Sequence, residues 1–468
     1  MLTLMRRSSY IIPGIVGCAL FMQMLDSTVV ATALPAMGEA FHETPVRMNI
    51  AITSYLLAVA MFVPLSGWAA DRFGARKVFA TAMLLFTVAS IGCSLAGSME
   101  QLVAGRSLQG LAGAMMVPVG RVILLRSVSK SELVQAMSFL SVPALIGPVV
   151  GPPLGGVLVT YASWHWIFLI NVPIGILGLF LVYRYIPSDA HDRTNRPLDL
   201  TGFLLTSISL VAIIYGFDAV GHETLSGAGI AAILSVGVAC AFLYCLHARR
   251  SAHPIIDLRL LSVQTFRIAN IGGNLCRFSI GALPFLLVML LQVGFGLSPV
   301  AAGMITFVSA VGALALKLVA VRVLRRFGFR RTLIVNAVTT GVFTACCALF
   351  TPETPYWLLL LVLFVGGFFR SLQLTAVNTL AYADIPHEDM SRASGLAAMA
   401  QQVAISLGVG IAAVSLNISM AWRGAESLSI PDVAVGFVVI GILVSLSAFS
   451  FSGLSPQAGA EISGAGRK

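Results

Sequence analysis

The chain has 468 residues, of which 58% are hydrophobic and only 10% charged, with a mean hydropathy of +0.93 and a formal net charge of +10. A water-soluble fold of this size needs far more charge to cover its core, so the composition excludes a soluble enzyme or a nucleic-acid-binding domain and calls for a multi-pass membrane protein. The basic residues sit in short breaks between apolar runs, where they act as topology signals.

A hydrocarbon core about 30 Å thick takes about 20 apolar residues per helix. Fourteen segments qualify, at 11–35, 48–70, 78–97, 101–123, 135–161, 165–186, 200–217, 227–247, 266–293, 300–321, 332–351, 357–381, 393–418 and 433–453. Arg6 and Arg7 precede the first, and Ala31-Thr32-Ala33 has the form of a cleavage site. That run is long and carries Asp26, so it is read as a span and not as a cleaved leader. Alternating the breaks puts most of the 29 Lys and Arg on one side, with only Arg47 and Arg423 opposite. The positive-inside rule then predicts both termini in the cytoplasm of a cell inner membrane.

The longest breaks, 187–199 and 249–265, flank the seventh and eighth spans. This predicts an N-terminal six-helix bundle at 1–186, a linker at 187–265 with two additional helices, and a C-terminal six-helix bundle with a short tail at 266–468. An internal repeat supports the division: Asp71-Arg72-Phe73-Gly74-Ala75-Arg76-Lys77 is echoed 254 residues later by Arg325-Arg326-Phe327-Gly328-Phe329-Arg330-Arg331. A second echo, Arg106-Ser107-Leu108-Gln109 against Arg370-Ser371-Leu372-Gln373, falls about two helical turns out of that register.

Asp26 is the carboxylate that must sit inside hydrocarbon, where an ionisable group costs several kcal/mol and marks a functional site by default. Gln23, Asp26 and Ser27 share one helical face. Asp26 is therefore either a proton carrier or a permanently ionised partner of a buried arginine that pins two helices. Farther on, Asn274, Arg277, Arg370 and Gln373 lie within spans. With Gln23 they are candidates for a substrate cavity, where the arginines would attract an anionic substrate, or else bond helix carbonyls or Asp26. Lys317 lies near a span end, where a long side chain can snorkel. The seven cysteines all lie in apolar runs without metal-ligand spacing, so they are read as packing residues. Nothing calls for a metal or a cofactor, and no partner protein is evident.

Three motifs carry a resemblance. Gly67-Trp68-Ala69-Ala70-Asp71-Arg72-Phe73-Gly74-Ala75-Arg76-Lys77 resembles the cytoplasmic loop signature of the major facilitator superfamily, with Ala75 where a basic residue is more usual. Arg106, Gln109, Gly110 and Gly113 share a face of the fourth span and resemble that superfamily's R-x-x-Q-G signature. Gly147-Pro148-Val149-Val150-Gly151-Pro152-Pro153-Leu154-Gly155-Gly156 predicts a kink or hinge in the fifth span, since prolines remove backbone donors and glycines soften the helix. It resembles the signature of exporters within the superfamily. Together with Leu25–Pro35 and 164–173, these stretches look like the fourteen-span drug:proton antiporter branch, and Leu283-Pro284-Phe285 looks like its multidrug permeases.

The resemblance implies an all-α membrane fold of two six-helix bundles with two extra helices between them. It implies proton-coupled export of small molecules by alternating access, with Asp26 and Arg106 in proton coupling and the Gly67–Lys77 loop as a conformational clasp. The alternatives are uptake or exchange of a metabolite or organic anion, or a non-transporting sensor. An enzyme or an ATP-driven pump is disfavoured, because the sequence has no H-E-x-x-H and no G-x-x-x-x-G-K-[ST].

Overall fold

A computed structural model describes residues 2–43, 45–48, 50–187, 196–220, 226–317, 319–424 and 427–463. Among the described residues every regular element is helical. The long helices are α1 (Leu2–Phe41), α2 (Ile50–Phe62), α3 (Leu65–Phe73), α4 (Ala75–Ser94), α5 (Met99–Ser127), α6 (Leu133–Tyr161), α7 (Asn171–Tyr185) and α8 (Leu200–Val220). They continue with α9 (Gly227–Arg250), α10 (Gln264–Val288), α11 (Pro299–Lys317), α12 (Ala320–Cys346), α13 (Tyr356–Leu380), α14 (Met390–Arg423) and α15 (Ile430–Ser452).

Among the described residues, eleven helical segments are long and apolar enough to cross a bilayer alone, and α2 with α3 makes a twelfth that bends by 59°. Pro64 stands at the bend, where its missing N–H leaves the preceding turn open. With α6, of 29 residues, and α11, of 19, the described residues trace fourteen passes, as the hydropathy predicts. The first helix extends well beyond both ends of the expected 11–35. The Gly-Pro stretch, where a kink or hinge is expected, lies within α6, which runs as one helix from Leu133 to Tyr161. Neighbouring helices can hold such a segment in register.

The packing repeats eight passes apart. In the first half α1 packs on α6, α5 on α2, and α4 on α5 and α7; in the second α10 packs on α14, α13 on α11, and α12 on α13 and α15. The loop echo has the same backbone cause: Gly74 adopts φ 89° between α3 and α4, and Gly328 adopts φ 70° and interrupts α12. Residues with a Cβ rarely adopt such angles.

The cores show how the halves meet. At the end carrying the termini they share one core, in which Val122, Leu125 and Val182 join Phe329, Leu380, Tyr382 and Leu396. At the opposite end the cores are separate, one around Leu25, Val29, Met37, Trp164 and Phe168 and the other around Leu287, Leu291, Phe350, Leu359 and Phe437. The halves are thus joined through one core at the terminal end, while at the other end each has a core of its own among the described residues. The junction includes a hydrogen bond from Ser394 Oγ to the Pro118 carbonyl at 2.9 Å and one from Arg126 Nη2 to Ser391 Oγ at 3.1 Å.

The two extra passes flank this assembly. α8 packs on α2 of one half and α14 of the other. Ser207 Oγ donates to the Met61 carbonyl at 2.6 Å, while the Phe217 ring lies against Gly410. α9 packs on α8 and exposes Val236, Val238, Phe242 and Leu243, an apolar face suited to lipid.

Candidate functional site

Asp26 lies on α1, which is held close to α6 by glycines at four-residue spacing. A Cβ on Gly147 would come within 2.8 Å of Met24 Cβ and 3.0 Å of the Leu25 nitrogen. Gly151 and Gly155 likewise face Thr28 and Thr32, whereas Gly156 faces open space. The side chains of Pro148 and Pro152 lie outside the described residues. On α5, Gly110 lets the backbone close on α2, since a Cβ there would meet Ala58 Cβ at 2.6 Å. Gly113 leaves room beside Tyr55 and Gln23. Small residues of this kind let membrane helices approach closely.

These contacts bring Asp26 and Arg106 together in the interior, 1% and 0% exposed. Arg106 Nη1 donates to Asp26 Oδ2 at 2.5 Å and to Gln109 Oε1 at 2.7 Å, while Nε donates to the Ala51 carbonyl at 2.9 Å. The guanidinium also stands 4.5 Å from the centre of the Tyr55 ring. The other carboxylate oxygen, Oδ1, accepts from Asn171 Nδ2 at 2.9 Å and Gln109 Nε2 at 3.3 Å. Gln109 Nε2 donates in turn to Ser90 Oγ at 2.7 Å. One carboxylate therefore links α1 directly to α5 and α7, through Gln109 and Asn171 to α4, and through Arg106 to α2.

This arrangement has a specific chemical capacity. Removing one partner of a buried ion pair costs about 3–5 kcal/mol, because the other is left uncompensated. A carboxylate can shed its charge by taking up a proton, whereas a guanidinium in a protein cannot. Protonating Asp26 would strip Arg106 of its counter-charge, so proton occupancy and the packing of five helices are linked. Arg106 Nη2, Gln23 Oε1 and Asn171 Oδ1 have no protein partner among the described residues, which leaves polar atoms beside the pair.

The second half carries the echo of this centre without its acid. Gln373 Nε2 donates to Cys276 Sγ at 3.5 Å and to the Leu333 carbonyl at 3.3 Å, and its Oε1 accepts from Asn336 at 2.7 Å. Arg370 Nη2 donates to Ser309 Oγ on α11 at 2.7 Å, as Arg106 reaches α2 in the first half. The equivalent helices are joined, but about two turns nearer the terminal end: Asn336 precedes the position that the loop spacing would give for Ser90. The offset in the sequence is thus a difference in depth.

The five expected cavity residues take different partners, and only Asn274 and Arg277 are bonded to each other among the described residues. Gln23 lies near Asp26, Arg370 on Ser309, and Gln373 inside the second bundle. Arg277 donates to Asn274 Oδ1 at 3.1 Å and Asn378 Oδ1 at 2.5 Å. Lys317 Nζ donates to Thr375 Oγ1 at 2.7 Å instead of reaching out of its span.

In the loop signature, a Cβ on Gly67 would come 2.9 Å from the Ser391 carbonyl of α14. Asp71 pairs with Arg126 at 3.6 Å and Arg76 Nη2 donates to the Tyr183 carbonyl at 2.7 Å, while Arg72 is half-buried and Lys77 exposed. The stretch therefore sits at the junction between the halves.

Sequence reasoning missed Asn171, Ser90 and Tyr55. Asn171 had a readable signal, since a polar amide at membrane depth needs a partner. Ser90 and Tyr55 had none, because only the packing turns them toward Asp26.

A sequence profile described as Major Facilitator Superfamily matches residues 16–244 and 269–464. Over 403 residues the chain is 40% identical to a Cronobacter sakazakii protein named as multidrug resistance protein MdtD, covering 86% of this chain and 85% of that one. Over 444 residues it is 37% identical to the protein of the same name in Escherichia coli strain 55989, covering 94% and 93%. Two solved structures share the fold at low identity. The human organic anion transporter MFSD10 superposes with a TM-score of 0.69 at 15% identity, covering 95% of this chain and 99% of that one. The proton:xylose symporter XylE gives 0.64 at 16%, covering 97% of each.

Proposed function

Because the chain belongs to the major facilitator superfamily, we propose that it exports small molecules in exchange for protons, with Asp26 as the proton carrier. The observation that carries this reading is the buried Asp26–Arg106 pair, a removable charge held against a fixed one. The names of its MdtD relatives support drug-like or toxic molecules as cargo. No nucleic-acid partner enters this reading.

In this reading the protein spans the inner membrane with both termini in the cytoplasm, a placement supported by the distribution of Lys and Arg. The end at which each half has its own core then faces outward. A proton entering from that side neutralises Asp26 and releases Arg106 from its counter-charge. Residues 1–186 and 266–468 rock against each other, with 187–265 as the inserted pair of helices, and the site opens inward. Asp26 releases its proton there and cargo leaves in the opposite direction. The Asp71–Arg126 pair and the Gly67 contact with Ser391 belong to the clasp that holds the inner end shut.

The test is proton flux in proteoliposomes carrying the parent or Asp26→Asn, with cationic, neutral and anionic compounds added in turn. Substrate-triggered proton movement in the parent, lost in the variant, is expected. Gradient-driven export that survives in Asp26→Asn would remove Asp26 from the mechanism.

A further inference from the structure

Arg121 on α5 and Arg277 on α10 come from different halves and meet at their junction. They are 8% and 3% exposed. Arg121 Nη1 donates to the Tyr382 hydroxyl at 3.2 Å. With the Gln401 amide turned so that its oxygen faces the guanidiniums, that oxygen accepts from Arg121 Nη1 at 3.1 Å and from Arg277 Nη2 at 3.2 Å. The remaining acceptors of Arg277 are the amide oxygens of Asn274 and Asn378.

Every one of these acceptors is neutral. Among the described residues neither arginine forms an ion pair, whereas Arg106 is matched by Asp26 and Arg423 by Asp432. Two guanidiniums bridged by one neutral oxygen repel each other, and burial keeps water from screening them. A carboxylate suits such a place: it has two oxygens, each able to accept a charge-assisted hydrogen bond from a guanidinium. The Tyr382 hydroxyl is a further donor.

Position argues for a ligand that enters between the halves. Tyr382 belongs to the shared core of the terminal end, together with Val119 and Val122, which flank Arg121 on α5. The arginines therefore stand at the junction of the halves, beside the core that they share.

We propose that Arg121 and Arg277 together form a binding site for the carboxylate of a small organic anion, a cargo class that rests on the transport reading above. One arginine comes from each half, so the anion bridges the two bundles as it relieves their repulsion. An anionic lipid headgroup offers similar oxyanion chemistry, but both arginines are buried where the two bundles meet.

The experiment uses the purified full chain in phosphatidylcholine nanodiscs at constant sodium chloride. Benzoate and 1-naphthoate, each beside its neutral amide, are titrated while the thermal unfolding midpoint is followed. The carboxylates should raise the midpoint saturably and the amides should not. Arg121→Gln and Arg277→Gln should each weaken the carboxylate effect at least tenfold. Arg277→Lys, which keeps the charge, and Asp26→Asn, which lies outside the cluster, should both retain it. Loss of proton coupling in Asp26→Asn with carboxylate binding intact separates this proposal from the transport reading. Should a Gln variant not fold, Tyr382→Phe gives the second measure, with several-fold weaker binding expected. Equal effects of amide and carboxylate, no carboxylate effect at all, or an undiminished effect in both Gln variants would overturn the proposal. So would a midpoint that responds to phosphatidylglycerol in the nanodisc and not to the carboxylates.

Discussion

Asp26→Asn and Arg106→Gln, alone and together, test whether the central ion pair is an energetic unit. Asn keeps the shape of the carboxylate and one accepting oxygen, so the change is chiefly one of charge. It leaves the Arg106 guanidinium buried against neutral acceptors, the Gln109 amide at 2.7 Å and the Ala51 carbonyl at 2.9 Å. Breaking a buried pair costs about 3–5 kcal/mol, and the surviving bonds place this variant near 3. Arg106→Gln leaves a carboxylate that can take up a proton and still has donors in Asn171 and Gln109, so its cost is about 1–3 kcal/mol, the range for lost charge-assisted bonds. The double variant is neutral throughout and should cost less than the two singles together, with a coupling of about 2 kcal/mol. Reversible unfolding in detergent, followed by tryptophan fluorescence, gives the four free energies of the cycle. Costs that add to within about 0.5 kcal/mol would refute the argument, since independent sites behave that way. A larger cost for Arg106→Gln than for Asp26→Asn would also contradict it.

Two further predictions concern packing. Gly147→Ala should destabilise the protein by about 1–3 kcal/mol, the range for overpacking, because its Cβ meets the α1 backbone. Gly156→Ala faces open space and should be neutral or slightly stabilising by the same unfolding measurement, as expected when a helical glycine gains a Cβ without a clash. At the terminal end, Gly67→Val would press a branched side chain against the Ser391 carbonyl and hold the halves apart. A cysteine placed at Ser394, which is buried beside the Pro118 carbonyl, should resist a membrane-permeant maleimide in the parent background and react when combined with Gly67→Val. Unchanged labelling would count against the clasp.

Much of this was legible because a bilayer leaves a chain few choices. Fourteen passes follow from apolar length alone, and a charged Asp26 at membrane depth has to find a partner, which made Arg106 a natural candidate. Asn171 was harder, since an uncharged amide tolerates several environments and only the placement of α7 beside α1 selects Asp26. Gln373 is visibly polar within a span, yet nothing in the sequence says that its side chain meets Asn336. The Gly-Pro helix was legible only in part. Its prolines suggested a kink or hinge, while the four-residue spacing of Gly147, Gly151 and Gly155 has a second structural effect, a close seam with α1. Arg121, Gln401 and Tyr382 lie far apart along the chain, so their meeting across the two halves could not be read from local pattern.

The helix α8 touches both halves, and its two contacts differ in kind. Toward α2 it is tethered by a directional bond, from Ser207 to the Met61 carbonyl. Toward α14 it presents the flat ring of Phe217 to the bare backbone at Gly410, a surface without a directional constraint. A hydrogen bond weakens steeply once its geometry is lost, while ring-on-backbone contact tolerates sliding. α8 is therefore fastened to the first half by a hydrogen bond and to the second by the fit of a ring into the space that a glycine leaves.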